Sequence, residues 1–352
     1  MLGWIIGGVA ALYGGGALYG FARRGLDGGP YPAPEAAERE MEALALRHPA
    51  LIGREVIGQS TEGRALHAFR FRAGADDDAR PRVLVTAHIH AVEYIGAYVA
   101  RAVARRLADG YGHDPEVTAL LDRADVWVAP LLNPDGAARI WRSGGWTRLG
   151  GARFTANGVD PNRNFPFVPL AGRAGWNSSS SRPGSPYYRG PHPLSEPECL
   201  AVARLAKRER FCAAINFHSF GCVVFLPQAL GDDTYTAVRA LGAFQGTFQS
   251  RQGAVRYRPI PERSATITGQ LDPFLLNAFG TPSVTVEVSR PGAQVLMPAN
   301  TFNVFWWANP RNPQRWADND TAAAIHALAG LVDRTGGSPV VPAQPELAGA
   351  VS

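Results

Sequence analysis

Residues 82–97, RVLVTAHIHAVEYIGA, restrict the fold of this 352-residue chain more than any other stretch. Val83-Leu84-Val85 shows no polar alternation, which suits a strand covered on both faces, as in a parallel sheet layered with helices. The run leads into His88, His90 and Glu93, and then into a stretch with helical character over 92–107. Ionisable groups at the end of a buried strand are costly unless something satisfies them. A metal ion would do so, and so would hydrogen bonds at the strand end. Strand alternation puts His88 on the same face as His90.

The rest of the chain repeats this alternation of elements. Residues 35–50 have helical periodicity, and 54–71 read as a hairpin around the turn Ser60-Thr61-Glu62-Gly63. DVWVAPLL (125–132) is a second continuous apolar run. Strands are expected over 211–219, 222–227 and 282–289, and helices over 195–210, with Ser195 as cap, 232–250, 272–280 and 319–334. Residues 133–195 form a long segment dense in Gly, Asn, Ser, Pro and Arg, the kind of loop that is usually functional. The expected fold is α/β, with a mixed, mainly parallel central sheet flanked by helices.

Charge and cysteine content narrow the function. The formal net charge is +5, but Lys207 is the only lysine and the arginines are scattered. Nucleic-acid binding needs a basic stripe or patch, so no nucleic-acid partner is expected. Cys199, Cys212 and Cys222 form no CxxC pair, which argues against a disulfide scaffold and a cysteine zinc site. Residues 2–21 carry no charge, and Arg23-Arg24 follow. Residues 1–24 are therefore expected to be a membrane anchor or an atypical signal, and possible membrane attachment through residues 2–21 follows. The positive-inside rule would put the remainder at the cytoplasmic face, with export as the alternative. A linker over 25–34, a catalytic domain over 35–335 and a disordered tail over 336–352 complete the expected organisation.

Four constellations carry chemistry. His90 and Glu93 stand as H-x-x-E, a spacing that can turn an imidazole and a carboxylate toward one ion. His218 ends the apolar run INFHS, and ligands gather at the carboxyl ends of strands in open α/β sheets. Two histidines and one glutamate would leave a fourth zinc position open for water. In PLLNPDG and NGVDPNRNFP, Asn162 and Arg163 can grip a carboxylate, and Asp160 can orient a metal-bound imidazole. Glu287 lies inside the β-branched run TPSVTVEVS and can act as a general base. Each piece alone also fits a structural reading: a capped histidine, an Asx-turn network or a paired buried glutamate.

Taken in order, H-x-x-E, N-P-D-G, G-V-D-x-N-R-N-F-P, YRGPHPLSEPE, H-S-x-G and the late strand glutamate resemble the zinc carboxypeptidases of the M14 (carboxypeptidase A-like) family. The resemblance implies one zinc ion held by His90, Glu93 and His218, with His88 left as a neighbour. It implies Asn162 and Arg163 as the clamp on the terminal carboxylate of a peptide substrate. It also implies Arg153, with Arg142 in competition, as the group that polarises the scissile carbonyl, and Glu287 as general base and proton shuttle. The chain departs from the family pattern at Val92, Phe220 and Pro161, and a tyrosine expected near Ser264 is missing, with Tyr257 the nearest upstream. Leu271 would line a pocket for an apolar C-terminal side chain. The implied activity is zinc-dependent hydrolysis of C-terminal peptide bonds. The alternatives are a zinc deacylase of small N-acyl amino acids, resembling the aspartoacylase and desuccinylase branch, and a non-catalytic, membrane-tethered peptide-binding module.

Overall fold

The structure, a computed structural model, describes residues 26, 28–74, 77, 79–147, 150–167, 179–228, 234–261, 268–290, 303–339 and 345–351. Among these residues the strands are β1 (Ile52–Gln59), β2 (Ala65–Phe71), β3 (Arg82–Ala87), β4 (Asp125–Ala129), β5 (Ala213–Ser219), β6 (Val223–Leu226), β7 (Arg258–Pro261) and β8 (Ser283–Val288). They form one mixed sheet in the order β1-β2-β4-β3-β5-β8-β6-β7. The central strands β4, β3, β5 and β8 run parallel, and antiparallel pairings join β2 to β4 and β6 to β8. Val83, Leu84, Val85, Val126 and Val128 are completely buried, as strands covered on both faces require.

Helices cover both faces. On one lie α1 (Pro34–Arg47), α2 (Tyr94–Gly110), α3 (Pro115–Arg123) and α9 (Pro313–Thr335), whose apolar residues join Val83 and Val85 in one core. On the other, α5 (Pro197–Glu209) and α7 (Leu271–Phe279) pack with Leu84 and Trp127. The remaining helices are α4 (Pro134–Arg142), α6 (Thr234–Arg251), α8 (Phe305–Ala308) and α10 (Pro345–Gly349). From β3 the chain crosses to β4 on one side and later to β5 on the other. This reversal opens a crevice at the carboxyl ends of β3 and β5, where ligands bind in open α/β sheets.

Several sequence expectations change in detail. The 133–195 segment is not all loop: Pro134–Arg142 is helical, with Asn133 Oδ1 accepting from Gly136 N at 2.9 Å. Pro115–Arg123 is likewise a helix, capped by Asp114. Both begin with proline at the first helical position after an Asn or Asp cap. The helix expected over 319–334 starts at Pro313, after an Asn312 cap, six residues ahead of the expected start. Ser195 does not cap α5; Glu196 holds the N-cap position without a side-chain cap bond. The tail expected to be disordered is partly folded: Leu347 and Val351 are buried against α5 and α7, and Lys207 Nζ donates to the Val351 carbonyl at 2.5 Å.

The expectation of a membrane-associated protein is corrected. Among the described residues, no helix is long and apolar enough to cross a membrane. Residues 2–21, on which that expectation rested, lie outside the described residues.

One contact fixes the distance between the two halves of the crevice. A Cβ added to Gly96, in the first turn of α2, would lie 2.7 Å from the Phe217 carbonyl oxygen of β5. Only glycine lets the helix start so close to that strand. Gly96→Ala is expected to lower stability by about 1–3 kcal/mol through overpacking. Chemical denaturation checks this, and an unchanged midpoint would mean that the helix is not seated on Phe217.

Candidate metal and substrate site

The strand ends assemble the site directly. His218 lies on β5, and its neighbour across the ladder on β8 is Glu287. His90 and Glu93 come from the turn between β3 and α2, with Glu93 at the N-cap of the helix. One ligand atom each from His90, Glu93 and His218 lies within 4.8 Å of the others, and all three residues are buried. His90 Nδ1 is 2.8 Å from Glu93 Oε1, His218 Nδ1 is 2.9 Å from Glu93 Oε2, and the two Nδ1 atoms are 3.2 Å apart. The backbone N–H of Ser219 also donates to Glu93 Oε2, at 3.3 Å. Burial alone would raise the Glu93 pKa, but the two imidazoles outweigh it and hold the carboxyl well below its ordinary range. Two imidazoles and one ionised carboxylate, brought together in a buried pocket, suit a zinc ion with an open fourth position.

His88 takes no part. β3 ends at Ala87, and His88 has φ 57°, in the left-handed region, so strand alternation does not continue through it. Its Nε2 pairs with the Ala91 carbonyl at 3.1 Å, and its ring meets Tyr94 edge-on with centroids 4.5 Å apart. Burial pushes its pKa down to about 4, keeping the imidazole neutral near pH 7.

Both ligand rings are buttressed from behind. His90 Nε2 faces Asp160 Oδ1 at 3.2 Å, which fits a ring oriented by a carboxylate. Asp160 also accepts from Arg153 Nε at 2.9 Å and from the backbone N–H of Asn162 at 3.0 Å. Its burial opposes ionisation, but Arg153, Arg163 and His90 outweigh that and hold its pKa well below the usual range. His218 Nε2 lies 2.9 Å from the Asn216 amide, which lies 3.4 Å from Asp272 Oδ2. Asp272 in turn accepts from the hydroxyls of Ser283 and Thr285. Sequence reasoning missed Asn216, although it stands two residues before His218 and shares its strand face.

Glu287 faces the cluster without being part of it. Its Oε2 is buried and has no hydrogen-bond partner among the described residues, and burial together with the nearby Glu93 charge raises its pKa well above the ordinary value. Arg153 acts in the opposite sense on Glu287. Burial would lower the Arg153 pKa, but Asp160 and Glu93 raise it, so the guanidinium stays charged. Arg142, at the end of α4, donates from Nε to its own helix at Ala138 O, 3.3 Å away.

Asn162 and Arg163 form a 3-10 turn with Pro161, directly after Asp160. Asn162 Oδ1 accepts from the backbone N–H of Leu271 at 2.9 Å, and Arg163 Nη1 donates to the Asn162 carbonyl at 2.7 Å. Gly269 makes this junction possible: a Cβ there would fall 2.1 Å from the Arg163 carbonyl oxygen, and its φ is 78°. Leu271 itself is fully buried with Phe165 and Phe274. Tyr257 is fully buried as well, its hydroxyl donating to Asp320 Oδ2 at 2.6 Å, so it is no mobile substrate cap. The neighbourhood of Ser264 lies outside the described residues.

The other motifs hold the loops in place. Asn133 of N-P-D-G donates from Nδ2 to the carbonyls of Ile89 and Phe154, each at 3.1 Å, tying the ligand turn to the 150s loop. Asp135 accepts from Ser60 Oγ at 2.7 Å and from Arg64 Nη1 at 2.5 Å, anchoring the β1–β2 turn. Asn164 donates to the carbonyls of Arg189 and His192 at 2.8 and 3.0 Å.

Comparison with known proteins agrees with this geometry. The family model described as "Zinc carboxypeptidase" (peptidase M14) matches residues 37–309. Mouse carboxypeptidase A4 is 32% identical over 269 residues, covering 71% of this chain and 62% of the relative. Bovine carboxypeptidase A1 is 32% identical over 225 residues, covering 59% of this chain and 51% of the relative. The chain therefore spans less than two thirds of the length of these relatives. Among solved structures, thrombin activatable fibrinolysis inhibitor superimposes with a TM-score of 0.66 at 21% identity, covering 86% of this chain and 74% of that one. Carboxypeptidase A from Helicoverpa armigera gives 0.61 at 19% identity, covering 82% of this chain and 74% of that one. These two likenesses carry the fold alone. With the family model spanning well over half of its length, the chain belongs to the zinc carboxypeptidase family.

Proposed function

We propose that this protein is a zinc-dependent carboxypeptidase that removes the C-terminal residue of peptides. The observation that carries this reading is the buried convergence of His90, Glu93 and His218 beside Glu287, whose buried Oε2 has no hydrogen-bond partner among the described residues. The three donors would hold the zinc ion, which when bound activates water and polarises a carbonyl. Glu287 would take the proton of the attacking water and pass it to the departing amine. Arg153, kept charged and electrostatically coupled to Glu93 and Glu287, would stabilise the negative charge developing on the scissile carbonyl oxygen. The hydrogen bond of Arg142 to its own helix favours Arg153 for this role.

Asn162 and Arg163 would receive the substrate's free carboxylate, the amide donating from Nδ2 because its Oδ1 is committed to Leu271. Asp160 would hold the His90 ring and steady Arg153 through one carboxylate.

Three outcomes follow. His218→Ala should lose most of its bound zinc and all hydrolysis, whereas His88→Ala should keep its metal; elemental analysis of the purified variants reads both. Near-stoichiometric zinc in His218→Ala would sink the ligand set. Glu287→Gln should retain zinc while kcat falls by roughly a hundred- to ten-thousand-fold, and full activity would remove Glu287 from the mechanism. Amidating the peptide's C-terminus and Arg163→Ala should each lower kcat/KM strongly, and the two together should cost much less than their sum. Equal hydrolysis of amidated and free peptides by the unmodified protein would contradict the carboxypeptidase reading.

A further inference from the structure

Arg153 and Arg163 stand on either side of Asp160 in the sequence, and both face one aromatic ring. The Arg153 guanidinium carbon lies 5.7 Å from the centroid of the Tyr187 ring, and that of Arg163 lies 5.4 Å from it. Both distances are within the range at which the negative face of an aromatic ring attracts a cation. The Asp160 carboxylate is shared electrostatically among two guanidinium groups and an imidazole. A shared π face therefore offsets part of the repulsion between the arginines.

Tyr187 is held firmly enough to act on its neighbours. The backbone N–H of Ser180 donates to the Tyr187 carbonyl at 2.8 Å, and that of Tyr187 to Ser185 Oγ at 3.3 Å. The next residue, Tyr188, accepts through its carbonyl from the backbone N–H of Asp160 at 2.8 Å. The backbone that carries the ring is thus tied, through Tyr188, to the same residue that pairs with Arg153.

We infer that Tyr187 is a positioning residue that sets the relative placement of Arg153 and Arg163, and so the span between the scissile carbonyl and the terminal carboxylate of a bound peptide. The inference rests on the carboxypeptidase reading above. It assigns the work to the ring face, not to the hydroxyl. Removing the ring loosens both arginines at once: Arg163 is felt in KM for free-acid peptides, and Arg153 in kcat.

The test compares Tyr187→Phe, Tyr187→Leu and Tyr187→Met in the full chain, with zinc content and thermal melting recorded for each. The Phe variant should stay close to the unmodified protein. Leu and Met should keep one zinc per chain yet lose about tenfold or more in kcat/KM on a free-acid peptide, with KM raised and kcat lowered. Their loss on the amidated peptide should be smaller, because Arg163 has no carboxylate to hold there. If a folded, zinc-replete Leu or Met variant matches the unmodified protein in both constants, the inference is wrong. It is equally wrong if Phe loses as much as Leu. The underlying reading fails separately, in the unmodified protein, if free and amidated peptides are cleaved alike.

Discussion

Glu93 lies between two imidazoles, 2.8 Å from His90 Nδ1 and 2.9 Å from His218 Nδ1, and all three residues are buried. A carboxylate buried in this way is tolerable only where its charge is matched, and the surrounding architecture supplies that match. Parallel pairing sets β3, β5 and β8 side by side, so their carboxyl ends open on one crevice. The missing Cβ of Gly96 lets α2, and Glu93 at its start, approach β5. A shift of either strand by one residue would turn a ligand to the opposite face of the sheet.

Outside the ligands, the polar loops work as a frame around Asp160. That one carboxylate touches the His90 ring, the Arg153 guanidinium and the backbone of the Asn162–Arg163 turn. On the proposed reading, one charge would serve ligand orientation, carbonyl polarisation and carboxylate binding together, so substitutions here should not act additively. The Asn216 and Asp272 pair makes the corresponding frame behind His218, built from β5 and the first turn of α7 instead of loops.

Much of this was legible in the sequence, and the exceptions have physical causes. His90, Glu93 and His218 stood out because ionisable residues at the ends of apolar runs need a reason to be there. His88 was harder to dismiss, since alternation assigns it the face of His90. Only its left-handed backbone turns the ring toward Ala91 and Tyr94. The helices Pro115–Arg123 and Pro134–Arg142 are nine residues each and were masked by polar, proline-containing surroundings, although Asp114-Pro115 and Asn133-Pro134 are helix-start signals. Tyr187 left no mark, because what it touches depends on which distant segments meet it in space. Residues 336–352 looked too rich in Gly and Pro to fold, yet Leu347 and Val351 find an apolar seat on α5 and α7.

At issue is whether the ends of β3 and β5 bring His90, Glu93 and His218 to one zinc ion. A crystal structure of the zinc-loaded protein, with anomalous data collected on both sides of the zinc edge, tests it most directly. The account predicts a single strong anomalous peak about 2.0–2.2 Å from His90 Nδ1, His218 Nδ1 and a Glu93 carboxylate oxygen. A peak bound by other residues, by His88 in place of His90, or no peak in the crevice of zinc-replete protein would contradict it.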